Sequence, residues 1–418
     1  MLSLYRMVPW VYFLLPIAAV PWAIRAGRRG SVRGAPQSLA GICLAGGLLG
    51  IALAKTWSWL LGARVSTGQT AVTMYWMTAT LCMLAGINLV VNRWLRRAVR
   101  GCVVRSTSNA RRRFFALVSG LLVAGKGALM TFVGVSVLAA TLLSFRPKVV
   151  HDGTPTTILD APFEAIDFRA TDGTALRGWW IPAPGPETGA RETVLLCHGF
   201  GADKASVLPV ARDLLASGFN VLAFDFRAYG ESGGHLSTFG DIERRDVLGA
   251  VRWLKNHHPQ QSRRILGLGI NMGAAALLAA ASDPGPEGQS IDAIAAVDPF
   301  DDLGAWLSDL ADERVAPLAG VFVARVALPL AGAQCGVDLC HWSPAGDAQN
   351  LWPRPLLVMH AGKDSLVPLA AGQALFDSAL QPKYHYWIEG ETPRQMLYRD
   401  DLAARVIRVF FRKARTII

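Results

Sequence analysis

The chain has 418 residues, a formal net charge of +11 and a mean hydropathy of +0.30, and it is long enough for two structural units. All 31 acidic residues lie after residue 150, whereas 18 of the 42 basic residues lie before it. In that first part the basic residues separate long apolar runs. This arrangement is typical of a membrane protein and excludes a nucleic-acid-binding surface as the source of the charge.

Four apolar stretches of spanning length occur in residues 1–150, at about 8–24, 39–61, 71–91 and 126–145. They predict a four-helix transmembrane region, with the lipid bilayer as its partner. The first stretch has no small-residue cleavage site at its end, so we predict a retained helix rather than a signal peptide. The stretches contain no acidic residue, and ion or proton transport normally requires one. Anchoring is therefore the predicted role of this region.

The orientation follows from the arginines of the connecting loops. The loops after the first and third stretches are rich in arginine, whereas the loop after the second carries only Arg64. The positive-inside rule assigns the two arginine-rich loops to the cytoplasm. Four spans then put both termini outside. The prediction is a multi-pass protein of the cell membrane with an extracytoplasmic C-terminal domain.

From about residue 160 the pattern changes to short apolar runs that alternate with amphipathic stretches, which predicts an α/β domain over 160–418 with a mostly parallel sheet. Predicted strands occupy 163–169, 176–181, 193–197, 220–226, 264–270, 293–297, 355–360 and 383–388. Predicted helices occupy 205–217, 241–256, 272–281, 369–380 and 401–413. The first two strands form a predicted hairpin. The apolar segment 315–332 is predicted to be a cap helix, with a lid that touches lipid as the alternative.

Four loops at the predicted strand ends carry distinctive motifs. They are His198-Gly199-Phe200-Gly201, the Asp225–Gly234 segment DFRAYGESGG, Gly269-Ile270-Asn271-Met272-Gly273, and the His360–Pro368 segment HAGKDSLVP. In this order and spacing they resemble the α/β-hydrolase superfamily, and within it the serine aminopeptidase S33 and esterase-like branch. The resemblance covers roughly residues 160–415 and implies an α/β-hydrolase fold.

The resemblance also implies a catalytic triad of serine, acid and histidine, with the serine on a tight G-x-S-x-G turn. In this chain Asn271 stands at the nucleophile position, and a carboxamide is not a nucleophile for acyl transfer. Asp364 matches the acid position. No histidine follows His385 in the sequence, and the base position falls near Pro393. Two of the three catalytic positions are therefore predicted to be lost.

The family's oxyanion-binding groups are backbone amides, which do not depend on the lost side chains. The matching amides here are those of Phe200 and Met272, and the resemblance gives His198 and Gly199 a structural role in the first loop. Such a pair of donors is able to bind a carbonyl or an anion. The predicted ligand is therefore an acyl or carboxylate small molecule.

The remaining residues predict neither a metal site nor a cofactor, since the six cysteines show no zinc-like pairing. Cys335 and Cys340 are close enough in sequence to form a disulfide, and two unpaired thiols in a helical segment are the equal alternative. The sequence gives no protein partner.

Three functions remain open at this stage. The first is a catalytically degenerate hydrolase-fold protein, tethered to the membrane, that binds a ligand or partner. The second is an active serine hydrolase of esterase or peptidase type with a non-standard catalytic set, for example one based on Ser206 or Ser343. The third is a structural membrane subunit, for which the spans are the functional part.

Overall fold

The computed structural model describes residues 108–145, 148–185, 192–363, 366–388, 390–398 and 401–417, and before them only Ala52, Lys55, Arg64, Val65 and Arg97. Apart from Ala52 and Lys55, which are helical, the first three predicted spans lie outside the described residues. The chain divides into two compact units. One consists of Met1–Leu61 and Thr67–Leu142, and the other of Gly62–Ser66 and Leu143–Ile418.

Helix α1 (Asn109–Ser144) is the described helix of the first unit, and its last two residues belong to the second. Within the described part of the chain, α1 is the one helix long and apolar enough to cross a membrane. The predicted span at 126–145 is its C-terminal half. The helix begins 17 residues before that span, because the apolar run continues upstream of Lys126. The long aliphatic part of the lysine side chain is compatible with an apolar helix surface.

The second unit contains an eight-stranded sheet in the order β10-β9-β8-β7-β5-β6-β4-β3. Its strands are β3 (Glu164–Arg169), β4 (Ala175–Ile181), β5 (Glu192–Cys197), β6 (Asn220–Phe224), β7 (Arg264–Ile270), β8 (Ile291–Val297), β9 (Leu356–Ala361) and β10 (Lys383–Ile388). The pairs β3–β4 and β4–β6 are antiparallel, and the other five pairs are parallel. The predicted hairpin and the mostly parallel sheet are confirmed. Two short strands, β1 (Arg64–Val65) and β2 (Val149–Val150), pair separately.

The helices of the second unit lie between the strands along the chain, and the last two follow β10. They are α2 (Pro155–Leu159), a 3-10 turn (Lys204–Val207), α3 (Leu208–Ala216), α4 (Arg244–His257), α5 (Met272–Ser282), α6 (Pro286–Gln289), α7 (Leu303–Arg314), α8 (Ala319–Phe322), a π-helical turn (Val323–Ala327), α9 (Leu328–Cys335), α10 (Pro344–Gln349), α11 (Leu369–Ser378), α12 (Pro393–Tyr398) and α13 (Asp401–Ile417).

Helices cover both faces of the sheet, as the alternation of side chains along β7 shows. Leu266 and Leu268 lie in one buried cluster with apolar residues of α3 and α13. Gly267 points to the other face, where a Cβ would come within 2.4 Å of Leu277 in α5. Successive side chains of a strand point to opposite faces. The sheet is therefore enclosed between the α3–α13 layer and the layer that contains α5.

The segment between β8 and β9 differs most from the sequence-based prediction. Instead of one cap helix over 315–332, four successive helical segments run from Leu303 to Cys335. Asp302 explains the first of them, because its carboxylate accepts a hydrogen bond from the Ala305 amide and caps α7. Cys335 and Cys340 are both free thiols, so the disulfide alternative is wrong.

Candidate functional site

Asn271 occupies the vertex of a sharp turn between β7 and α5. Its backbone has φ 49° and ψ −111°, a conformation that costs a non-glycine residue about 1–3 kcal/mol. The surroundings hold it in place: the Asn271 amide donates to the Val297 carbonyl (2.8 Å), and the Asn271 carbonyl accepts from the Ala275 amide (3.1 Å). The vertex therefore has a strained strand-to-helix geometry like that of a nucleophile elbow, and its side chain is a carboxamide.

The two glycines that flank the vertex allow the close approach that this turn requires. A Cβ at Gly269 would lie 2.5 Å from the Gly273 carbonyl oxygen, and one at Gly273 would lie 2.3 Å from the Cys197 carbonyl oxygen. Both contacts are with backbone atoms, which have no rotamer to change. The glycines therefore let the start of α5 lie against the end of β5, where the loop of residues 198–201 begins. We call this loop the oxyanion loop, after the role that the sequence predicts for it.

His198 in the oxyanion loop is fully buried and acts as a support. Its Nε2 accepts a hydrogen bond from the Phe226 amide (3.1 Å), so Nδ1 carries the hydrogen and donates to the Gly199 carbonyl (2.9 Å). Burial lowers the pKa of this imidazole, which keeps it neutral as the two hydrogen bonds require. His198 thus links the loop after β5 to the loop after β6, and it is not positioned as a free base.

The loop after β6 is organised by the buried carboxylate of Asp225. Lys204 donates to it twice, from the backbone amide (2.7 Å) and from Nζ (2.6 Å), and Nζ also pairs with Glu231 (2.7 Å). Gly230 has φ 46°, and a Cβ there would lie 2.2 Å from the Asp225 carboxylate. These contacts give the Asp225–Gly234 segment a structural role, since they fix this loop beside the oxyanion loop.

A row of aromatic side chains lies next to the oxyanion loop. The sequence analysis did not single out these residues. The Phe200 ring stacks on Phe239, with centroids 5.0 Å apart, and Phe239 meets Trp306 of α7 edge to face at 5.8 Å. Trp306 in turn stacks on Phe300 at 4.8 Å. Phe200 is half-buried, whereas the other three rings are buried. Their separation along the chain left no local signal for this row.

The predicted acid and base positions lie in loops that hydrogen-bond to each other. Asp364 itself lies outside the described residues, but the adjacent Lys363 amide donates to the Glu391 carbonyl (3.0 Å), two residues before Pro393. Pro393 is the first residue of α12, a helix that the sequence analysis missed. His385 is exposed on β10, and its ring stacks on Trp387 with centroids 5.1 Å apart.

Buried polar atoms without a hydrogen-bond partner gather at the carboxyl edge of the sheet. In the described residues they are Asn271 Oδ1, Asp298 Oδ2, His360 Nδ1 and Glu391 Oε2. Asn271 and Asp298 directly follow the neighbouring strands β7 and β8, His360 is the penultimate residue of β9, and Glu391 follows β10. Parallel α/β sheets bind ligands at this edge. Asp298 is a candidate site residue that sequence reasoning missed.

Asp298 is buried and has an unusual backbone for a non-glycine residue, with φ 46°. Its Oδ1 accepts from the Ala361 amide (2.9 Å) and lies 3.6 Å from His360 Nε2. Burial raises the pKa of this carboxyl to about 7 and lowers that of the His360 imidazole. Near neutral pH the Asp298 carboxyl is therefore close to its midpoint of protonation.

The variant Asp298→Asn is expected to be more stable than the unmodified chain at pH 8, and this advantage is expected to shrink as the pH falls towards 4. The folded-state pKa of about 7 lies above the ordinary 3.8, so the folded protein keeps a proton that the unfolded chain releases. Stability therefore falls as the pH rises from about 4 to about 7, by about 4 kcal/mol at most. Thermal unfolding of both proteins between pH 5 and pH 8 measures the difference, and parallel pH curves would contradict the assignment.

Comparison with known proteins agrees with this geometry. The family model described as alpha/beta hydrolase fold matches residues 192–328. The uncharacterized protein YfhR of Escherichia coli K12 is 28% identical over 221 residues, which cover 53% of this chain and 69% of that protein. A monoacylglycerol lipase of Mycolicibacterium smegmatis is 28% identical over 254 residues, covering 53% and 90%.

Among solved structures, the Pyrococcus furiosus esterase Pf2001 superposes with a TM-score of 0.52 at 25% identity. The match covers 65% of this chain and 98% of the esterase, so the similarity extends over the whole of that enzyme. The residues matched by the family model, 192–328, include the turn at Asn271 and the loop at 198–201. The second unit of this chain therefore has an α/β-hydrolase fold, and its relatives include an esterase and a lipase.

Proposed function

We propose that this chain is a membrane-anchored α/β-hydrolase-fold protein that lacks serine-hydrolase chemistry and binds an acyl or carboxylate small molecule at the retained oxyanion amides. The observation that carries the proposal is Asn271 at the vertex of the elbow. The backbone there keeps the strained geometry that presents a nucleophile, yet the side chain is a carboxamide. An amide nitrogen shares its lone pair with the carbonyl, so a base does not convert it into an effective nucleophile.

The loss of the base is a second, independent argument. Removing the nucleophile or the base of a serine-hydrolase triad costs about 10⁶ in kcat, and removing both costs little more. What remains is binding by backbone donors, in particular the Met272 amide at the first position of α5, where the helix has no internal acceptor for it. A ligand carbonyl or carboxylate held there gains hydrogen bonds and the favourable end of the helix dipole.

The alternative of an active hydrolase rests on the esterase and the lipase among the similar proteins. The two serines that sequence reasoning offered as substitutes have other roles. Ser206 Oγ donates to the Asp203 carbonyl in a capping box, and Ser343 Oγ donates to the Asp301 carbonyl (2.7 Å) while it caps α10. The Ser206 hydroxyl also accepts from the Asp203 amide (3.3 Å), and the Ser343 hydroxyl accepts from the Gly346 amide (3.3 Å). These contacts favour the binding function.

Anchoring in the cell membrane is the second part of the proposal. It is supported by α1, which is long and apolar enough to cross a bilayer, and by the three further apolar stretches in the sequence. With four spans, the arginine-rich loops are cytoplasmic and the hydrolase-fold unit is extracytoplasmic. A purely structural subunit would need the membrane anchor, but it would not need the elbow at Asn271, the two glycines that flank it or the oxyanion loop. This chain has all three features.

The purified chain is expected neither to react with a fluorophosphonate probe nor to hydrolyse p-nitrophenyl acetate above the background rate. It is expected to be stabilised against thermal unfolding by octanoate. Asn271→Leu fills the vertex with an apolar side chain of similar size, and we expect it to abolish the stabilisation by octanoate. Probe labelling of a single serine in the unmodified chain would instead identify an active hydrolase. Absence of both labelling and stabilisation would leave the structural role.

A further inference from the structure

The first residues of the second unit, 145–151, contact three loops of that unit, and we name them the entry segment. Phe145 forms an antiparallel bridge with Leu236, and Lys148 Nζ donates to the Ser232 carbonyl. β2 lies within the entry segment and pairs with β1, which belongs to the same unit. The third contact, at the end of the segment, is made just beyond the oxyanion loop.

This third contact joins His151 to the carboxylate of Asp203. The His151 backbone amide donates to Asp203 Oδ2 (2.6 Å), and the ring Nδ1 lies 3.2 Å from the same oxygen. Asp203 is buried, and a buried carboxylate needs such partners because a charge without them is costly to remove from water. Burial acts to raise the pKa of the Asp203 carboxyl, but the hydrogen bonds from the ring and the amide of His151 outweigh it and hold that pKa below its ordinary value.

Asp203 fixes the end of the turn that contains the predicted oxyanion amide. The Ala202 amide donates to the Gly199 carbonyl (3.2 Å), which closes this turn around Phe200. Asp203 is the next residue, and its Oδ1 accepts from the Ser206 amide (3.1 Å) to cap the 3-10 turn that follows. The two oxygens of one carboxylate thus join the entry segment to the end of the oxyanion turn.

The lysine next to Asp203 does not replace the histidine as its partner. Lys204 Nζ is engaged by Asp225 (2.6 Å) and Glu231 (2.7 Å) in the loop after β6. In the part of the chain that the structure describes, the basic group within 4 Å of the Asp203 carboxylate is the ring of His151. The position of this carboxylate therefore depends on the entry segment.

From these contacts we infer that His151 is a positioning residue for the oxyanion loop, because it acts through Asp203 to fix the turn that presents the Phe200 amide to a ligand. The inference rests on the proposed binding at the oxyanion amides, whereas the effect on the loop itself does not require a ligand. His151 lies before residues 192–328, which the family model matches. The contact is therefore made by a part of this chain that the family model does not include.

Amide hydrogen exchange of the full chain in detergent tests the effect on the loop. In His151→Ala, which removes the ring and keeps the backbone amide, peptides that cover 198–207 are expected to exchange about tenfold faster. His151→Gln is expected to restore most of the protection, because its side-chain amide is able to donate to the same carboxylate. His258→Ala is the matched control, since that partly buried ring also pairs with a carboxylate, Glu164 at 3.7 Å, and is expected to leave peptides 198–207 unchanged.

Octanoate binding tests the effect on the site. The affinity, obtained from melting temperatures at increasing octanoate concentration, is expected to fall about tenfold in His151→Ala and to recover in His151→Gln. The same substitution is then made in Asp203→Asn. There His151→Ala is expected to change neither exchange nor affinity by more than about twofold, because two residues that act through one contact are not additive.

Unchanged exchange of peptides 198–207 in His151→Ala would overturn the inference. Equal effects of His151→Ala with and without Asp203→Asn would also overturn it, since the histidine would then act by another route. A chain that gains no stability from octanoate, while exchange responds as expected, is a different outcome. It would refute the proposed binding and still support the positioning of the loop by His151.

Discussion

The double variant Asn271→Ser/Pro393→His is expected to hydrolyse p-nitrophenyl acetate about 10³-fold faster than the unmodified chain. The backbone at position 271 already has the strained geometry of a nucleophile elbow, and the Met272 amide already stands at the start of α5. The acid candidate Asp364 is present in the sequence. A hydroxyl and an imidazole are therefore the only groups that must be added.

Neither single change is expected to restore activity. A serine at the vertex without a base is as inactive as a triad that has lost its histidine, and a histidine at position 393 without a nucleophile has nothing to activate. Asn271→Ser alone and Asn271→Ala/Pro393→His are the matched controls, and rates are compared with initial velocities at equal protein concentration. Full activity of Asn271→Ser alone would show that the chain holds a base that we have not identified.

The variant Asp246→Asn is expected to lower the melting temperature of the hydrolase-fold unit by about 10 °C. Asp246 is fully buried and accepts hydrogen bonds from Arg227 Nε (2.9 Å), Nη2 (2.6 Å) and the backbone amide (2.8 Å). Asparagine keeps the shape but removes the fully buried one of the two counter-charges of the Arg227 guanidinium, the other being Asp172 at 2.6 Å. Breaking such a pair costs about 3 kcal/mol or more, and each kcal/mol lowers the melting temperature of a domain of this size by about 2–4 °C.

The same substitution at an exposed ion pair is the control for Asp246→Asn. Asp167 pairs with Arg177 at 3.1 Å, but the side chains are 79% and 57% exposed. Water screens that pair, so Asp167→Asn is expected to cost less than about 1 kcal/mol. Near-ultraviolet circular dichroism of the full chain in detergent follows unfolding in both variants. A similar loss in the two would contradict the structural role given to the loop after β6.

The mostly parallel sheet was predictable because its signals are local. Short apolar runs marked all eight strands of the sheet to within a few residues, and the glycine-flanked motif at 269–273 marked the sharp turn between β7 and α5. The asparagine at position 271 and the absence of histidine after His385 are direct properties of the sequence. The four-helix membrane region remains a prediction, of which α1 is the described part.

Other predictions failed where the signal was weak or non-local. The cap over 315–332 proved to be several helical segments that begin at Leu303, because the capping carboxylate of Asp302 lies outside the apolar run that suggested the helix. Helix α12 was missed because six residues give too short a pattern to recognise. The sequence left a disulfide between Cys335 and Cys340 open. The structure excludes it, because both cysteines are free thiols.

The class of fold and the chemical identity of the elbow residue follow from the order of amino acids along the chain, since both depend on contiguous segments. The distant groups that surround that residue follow from the packing of the elements. Asp298 is its neighbour because β8 lies beside β7 in a sheet whose order differs from the chain order. Likewise, Ser144 meets Gln334 across 190 residues of chain. Such contacts depend on how the elements pack, which short-range periodicity does not encode.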